Sequence, residues 1–178
     1  MFHLKNARFS VRSVLRTFVI TLAAILAATG ARAADEDYKG EVTGIASLQH
    51  FPSGGEGFVG GDIDFSLGRR NSLFSETTYA PLGPSDKLLN FLGGLRIGLP
   101  VRSARIVPYV SAFGGMSRYT IENVSQNWAT FGAGFGARCL LSRHWGVRPE
   151  FRWQRYQEPI RAVNSYGLTM GVFYRFGN

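Results

Sequence analysis

The chain has 178 residues, a net charge of +8, 22 glycines and one cysteine, Cys139. One cysteine excludes an intrachain disulfide framework, and glycine dispersed through apolar segments without a three-residue period excludes a collagen-like chain. The positive charge is concentrated at the start. Lys5, Arg8, Arg12 and Arg16 precede the apolar run Phe18 to Ala28, which closes on Ala31-Arg32-Ala33, the pattern of a cleaved secretory signal. The run is roughly 11 residues where a spanning helix needs about 20. Two domains follow from this reading, a signal over residues 1–33 and a mature domain over 34–178. Residues 1–33 carry five basic and no acidic residues, so their removal leaves 145 residues and a net charge of +3. The basic pI therefore belongs largely to the targeting segment, and no nucleic-acid partner is expected. No cysteine lies near the cleavage site, so lipoprotein acylation is not expected either.

After residue 34 no window sustains a helical 3.6-residue period or an apolar run long enough for a membrane helix, and two-residue alternation takes over. The first segment, Gly40 to Phe51, sets Val42, Ala46 and Leu48 against Glu41, Thr43, Ser47 and Gln49. The second, Gly57 to Leu67, sets Val59, Ile63, Phe65 and Leu67 against Gly60, Asp62, Asp64 and Ser66, and Gly68-Arg69-Arg70-Asn71 ends it in a turn. The third, Ser72 to Leu82, opposes Leu73 and Tyr79 to Glu76. The fourth, Leu88 to Leu99, opposes Leu89, Phe91, Leu95 and Ile97 to Asn90 and Arg96, and Pro100 closes it. The fifth, Arg105 to Met116, stays open, because Val107, Tyr109 and Phe113 compete with Val110, Ala112 and Met116 for the apolar face. The sixth, Asn127 to Cys139, places Phe131, Ala133, Phe135, Ala137 and Cys139 opposite Thr130, Gly132, Gly134, Gly136 and Arg138, the small residues leaving room for bulky neighbours. The seventh, Trp145 to Gln157, opposes Val147, Phe151 and Trp153 to Arg148, Glu150, Arg152 and Gln154. The eighth, Ser165 to Phe176, opposes Tyr166, Leu168, Met170, Val172, Tyr174 and Phe176 to Thr169 and Arg175.

Eight segments of about 9 to 12 residues match the length of tilted strands that cross a bilayer, and an even count returns both termini to one side. Closure removes the unpaired edges that hydrocarbon does not tolerate. The expected fold is all-β, a closed eight-stranded antiparallel up-and-down transmembrane β-barrel. The signal, the eight alternating strands, the mature length and the ending Val172-Phe173-Tyr174-Arg175-Phe176 together resemble the OmpA/OmpX-type outer-membrane barrel family, over nearly the whole mature chain. The resemblance implies residence in the outer membrane with both termini periplasmic, contact with outer-membrane lipids, and recognition by the outer-membrane assembly machinery through Phe176. Members commonly finish on the aromatic itself, whereas Gly177 and Asn178 follow here.

The polar parity gathers Glu41, Asp62, Asp64, Glu76, Arg96, Arg138, Arg148, Glu150, Arg152 and Arg175 inside a narrow barrel. Charges withdrawn from water must pair, and an eight-stranded barrel is just wide enough to be filled by side chains, so a network plugging the lumen is expected in preference to an ion path. No cofactor, metal or catalytic residue is assigned. The two mature histidines, His50 and His144, lack the serine two residues on that lipid A deacylases place on one strand face, Ser53 having the wrong parity. They give no metal-ligand spacing with Cys139, which reads as a small apolar residue. Gly132 to Gly136 lacks the spacing and the strand-to-helix context of a nucleotide loop, and the sequon Asn123-Val124-Ser125 is assigned no role. Tyr79, Tyr109, Tyr119, Trp128, Trp145, Trp153, Tyr156, Tyr166 and Tyr174 read as interfacial girdles. Arg69, Arg70, Arg102, Arg105 and Arg143 read as solvated periplasmic flanks.

The expected role is a noncatalytic envelope-structural or surface-interaction protein. Short outward loops are expected around residues 52 to 56, 83 to 87, 117 to 126 and 157 to 164, their extracellular ligand unspecified. With only two residues after Phe176, no wall-binding domain is expected. The alternatives are a lipid-modifying barrel enzyme and a soluble lipocalin-like barrel that holds an apolar ligand inside.

Overall fold

The computed structural model describes residues 38–68, 70–83, 85–100, 105–122, 124–158 and 161–177, all within the unit Ala33–Asn178. The signal expected over residues 1–33, its cleavage site, Arg69, Arg102 and Asn123 lie outside the described residues. Eight strands follow one another: β1 (Gly40–Phe51), β2 (Gly54–Ser66), β3 (Asn71–Pro81), β4 (Lys87–Gly98), β5 (Ile106–Ile121), β6 (Val124–Leu140), β7 (Trp145–Gln157) and β8 (Ala162–Phe176). Each pairs antiparallel with its chain neighbours, and β8 closes on β1.

Register fixes the tilt. From Gly40 the paired residues run through Phe65, Leu73, Leu95, Ala112, Ala133, Trp153 and Tyr166, and the circuit re-enters β1 at His50. The stagger from Gly40 to His50 is what inclines strands to the barrel axis, and for small barrels the inclination is roughly 35–45°. It also carries each two-residue face around the barrel without a break, so inward and outward sets never mix. The outward set is apolar: Phe135 is 63% exposed, Val59 59%, Leu48 55%, Val172 53% and Trp145 53%. A continuous apolar exterior of this kind exceeds what water-facing monomers expose.

The open parity of the fifth strand is decided by its neighbours. Tyr109, Ser111, Phe113 and Ser117 are buried inside, while Val110, Ala112 and Met116 face out. The reason lies on β6, where a Cβ added at Gly132 would come within 2.7 Å of the Phe113 ring, one at Gly134 within 2.8 Å of Ser111 Oγ, and one at Gly136 within 2.8 Å of the Tyr109 hydroxyl. The inward glycines are sockets for the side chains of β5.

Three hairpins are longer than expected. β5 and β6 extend to Ile121 and from Val124, so the loop expected at 117 to 126 is a paired hairpin with Arg118 opposite Asn127 and Thr120 opposite Ser125. There Arg118, Thr120, Ser125 and Asn127 take the parity that is apolar lower down while Tyr119, Ile121, Val124 and Trp128 share the other, which inverts the alternation, yet the backbone ladder continues and the Thr120 and Ser125 hydroxyls bond at 3.0 Å. Its turn holds Glu122 at φ 43, as tight two-residue hairpins require. Gly54 to Glu56, expected as loop, pairs with Gln49 to Phe51, and β8 starts at Ala162 rather than Ser165.

Candidate functional site

Inside the barrel five carboxylates meet five guanidinium groups. Glu41, Asp62, Asp64, Glu76, Glu150, Arg96, Arg138, Arg148, Arg152 and Arg175 are all buried. They are carried by β1, β2, β3, β4, β6, β7 and β8 on inward parity. Asp64 Oδ2 accepts from Arg96 Nη1 at 2.5 Å and from Arg148 Nη1 at 2.8 Å. Asp62 Oδ2 accepts from Arg96 Nη2 at 2.8 Å and also from Arg148 Nη2. Two arginines from β4 and β7 thus clamp the two aspartates of β2. Glu41 extends the cluster toward the termini, accepting from Arg138 Nε at 3.1 Å and from Arg175 Nε at 2.9 Å. Glu76 extends it the other way, accepting from Arg152 Nη1 at 2.6 Å and lying 3.9 Å from Arg96 Nη2. Glu150 accepts from Arg152 Nε at 3.0 Å, Tyr109 at 2.6 Å and Ser111 at 2.8 Å. Every one of the ten is reached through these contacts, and the formal charges sum to zero.

Neutral neighbours complete the solvation that water would supply. Ser72 donates to Asp64 at 2.8 Å and accepts from Arg138 at 2.7 Å. The Arg96 guanidinium lies 3.7 Å from the Phe74 ring centroid, and Arg152 lies 5.4 Å from that of Phe113, stacking in which a weakly hydrated guanidinium gains from the ring quadrupole. Asp62 Oδ1, Glu76 Oε2 and Arg96 Nε are buried without a hydrogen-bond partner. Toward the hairpin end the charges give way to a neutral layer: Ser117 donates to Asn90 Oδ1 at 2.7 Å and its oxygen lies 2.5 Å from that of Thr130, and Tyr156 donates to Gln49 at 3.2 Å. Phe58, Ala80, Leu88 and Tyr156 then close the interior as an apolar layer.

Phe74 shares the parity of Glu76 on β3 and lies inward with it. Tyr109 and Tyr156, expected in the girdles, are instead 1% exposed inside the barrel. A lone aromatic carries no signal of which face it takes, and here the facing glycine and the Glu150 and Gln49 acceptors decide. Tyr119 and Trp128 also leave the girdle, packing against the apolar layer with ring centroids 4.9 Å apart. Tyr79, Trp145, Tyr166 and Tyr174 do lie on the outer surface, and Trp153 is half-buried on the same side. Arg70 and Arg143 are exposed in turns, whereas Arg105 is half-buried. Phe176 ends β8 opposite Gly40, where an added Cβ would meet its ring at 2.6 Å.

Above the apolar layer, at the end formed by the β1–β2, β3–β4, β5–β6 and β7–β8 connections, a cleft of about 680 Å³ opens. Phe51, Leu88, Tyr119, Trp128 and Tyr156 line it, with Glu56, Asp86, Glu158 and Arg161 among its polar residues. His50 and Ser53 border the same cleft, but no hydrogen bond joins them among the described residues. His144 is at the opposite end, stacked on Tyr174 with centroids 5.8 Å apart. Cys139 is buried. No cluster of three or more potential metal ligands occurs among the described residues.

No protein-family model and no curated protein matches the chain. Solved structures do. Neisserial surface protein A superposes with a TM-score of 0.63 at 13% identity, over 77% of this chain and 96% of that one. The N-terminal β-barrel domain of Pseudomonas aeruginosa OprF gives 0.53 at 17% identity, over 77% and 99%. The outer membrane enzyme PagL gives 0.53 at 15% identity, over 76% and 99%. At such identities the likeness concerns the backbone, and with the closed register, the apolar exterior and the charged interior it establishes the fold as the eight-stranded antiparallel barrel of small outer-membrane proteins.

Proposed function

We propose that this chain is a noncatalytic integral protein of the outer membrane, with an envelope-structural or surface-interaction role and a lumen sealed against solutes. The observation that carries the reading is the neutral, fully linked set of five carboxylates and five arginines. Charges linked in this way, most of them by two or three partners, have no low-cost alternative arrangement, because removing one partner leaves another buried and unpaired. A network of that kind is a poor ion path and a good structural core. The apolar exterior supports contact with outer-membrane lipids, since the inverse arrangement, apolar within and charged without, is what a lipocalin-like binder needs. On this reading both termini are periplasmic, Phe176 serves recognition by the assembly machinery, and the cleft faces outward.

The test has two parts. The protein produced in a Gram-negative host is expected to resist carbonate extraction of outer membranes and to change gel mobility on heating. In planar bilayers it is expected to give no steady conductance at 1 M salt. Recovery in the soluble periplasm, or stable channel openings, would contradict the proposal. Lipid A from the same membranes should have an unchanged mass profile, and acyl-chain removal would favour the enzyme reading instead.

A further inference from the structure

The cleft at the hairpin end has a composition the lumen network does not explain. Its walls hold two aromatic pairs, Phe51 with Tyr156 at 5.6 Å between centroids and Tyr119 with Trp128 at 4.9 Å. Its three carboxylates, Glu56, Asp86 and Glu158, are only partly exposed, and their fields converge on the Tyr119 phenol. The cation among its lining residues, Arg161, is 79% exposed and lies 3.9 Å from Glu158. Neither Glu56 nor Asp86 has an ion-pair partner among the described residues. Acids are therefore turned in and the base turned out. The neighbouring outer wall is the opposite, with Lys87 and Arg118 exposed on it. The cleft is too large for a metal ion and lacks clustered ligands, while aromatic faces beside carboxylates are what an organic ammonium group binds.

We propose that this cleft binds compact organic cations, ammonium groups bearing an aromatic or branched apolar part, with the aromatic walls taking the apolar part and Glu56 and Asp86 the charge. This goes beyond the envelope role and does not depend on it, since the site is complete within one barrel and can be assayed outside the membrane.

The experiment is calorimetric titration of the folded protein in dodecyl maltoside, a neutral detergent, with benzyltrimethylammonium, benzyl alcohol and benzenesulfonate as probes. Saturable binding of the cation is expected, with the neutral probe at least ~10-fold weaker and the anion weaker still. The Glu56→Gln/Asp86→Asn double variant should lose ~10-fold in affinity for the cation, Trp128→Ala a similar amount, and Arg161→Ala should bind it as tightly or more so. Heat-modifiable mobility of each variant verifies that the barrel is intact. Equal binding of all three probes, no saturable binding of the cation, or loss of binding in Arg161→Ala with none in the double variant would overturn the proposal.

Discussion

Asp64 is the residue on which the lumen network turns, and truncating it to alanine tests whether that network is a dry core. Its carboxylate receives Arg96 at 2.5 Å, Arg148 at 2.8 Å and Ser72 at 2.8 Å, with Arg138 at 3.6 Å. Asp64→Ala removes one negative charge from a set that sums to zero and leaves three buried arginines sharing the remaining acids. Breaking a buried pair in this way costs about 3–5 kcal/mol, most of it the penalty of the charge left behind. Arg96 and Arg148 retain Asp62, so the lower part of that range, about 3 kcal/mol, is expected. Asp64→Asn keeps the volume and an acceptor, and should lose about half as much. The reference is Glu158→Ala, whose partner Arg161 is 79% exposed at 3.9 Å; a surface pair of that kind is worth about 0–1 kcal/mol. Urea unfolding in phosphatidylcholine vesicles, followed by tryptophan fluorescence and by gel mobility, measures all three. If Asp64→Ala and Glu158→Ala unfold within about 1 kcal/mol of each other, the interior is solvated and the plug is wrong.

The glycine sockets predict that Gly134→Val, whose Cβ would sit 2.5 Å from Glu150 Oε1 and 2.8 Å from Ser111 Oγ, destabilises the barrel by about 1–3 kcal/mol. Gly44→Ala, with nothing within 4 Å, should leave the unfolding midpoint within error in the same assay. Phe135→Arg, on the lipid-facing side of β6, should cost about 2–4 kcal/mol in vesicles; an unchanged midpoint would mean that this face meets water. Glu122→Gly relieves a left-handed residue in the β5–β6 turn and should raise stability by up to about 1 kcal/mol; a loss would show that the Glu122 side chain contributes more than its backbone costs.

Strand count, closure and the inward parity of the ten charges follow from the sequence, because a side chain on a tilted strand has only two directions and the polar and apolar choices alternate along seven of the eight segments. β1 was legible to its end residues for the same reason. The fifth strand was not, since tyrosine, phenylalanine and valine are acceptable on either face. Its orientation depends on Gly132, Gly134 and Gly136 lying directly across the ladder, and that is a matter of register. The outer hairpins were hidden because Gly54 and Gly55 read as turn formers and because Arg118, Thr120, Ser125 and Asn127 interrupt the parity that is apolar lower down, so that main-chain hydrogen bonds are what mark them as strands. Which acid meets which arginine was equally beyond the linear chain. Glu41 and Arg175 are 134 positions apart and become neighbours only when β8 closes on β1. The cleft is another product of assembly: Phe51, Asp86, Trp128 and Glu158 come from four successive hairpins, and only the closed barrel brings them to one rim. Local alternation therefore determined what faces inward, and closure determined what each inward group touches.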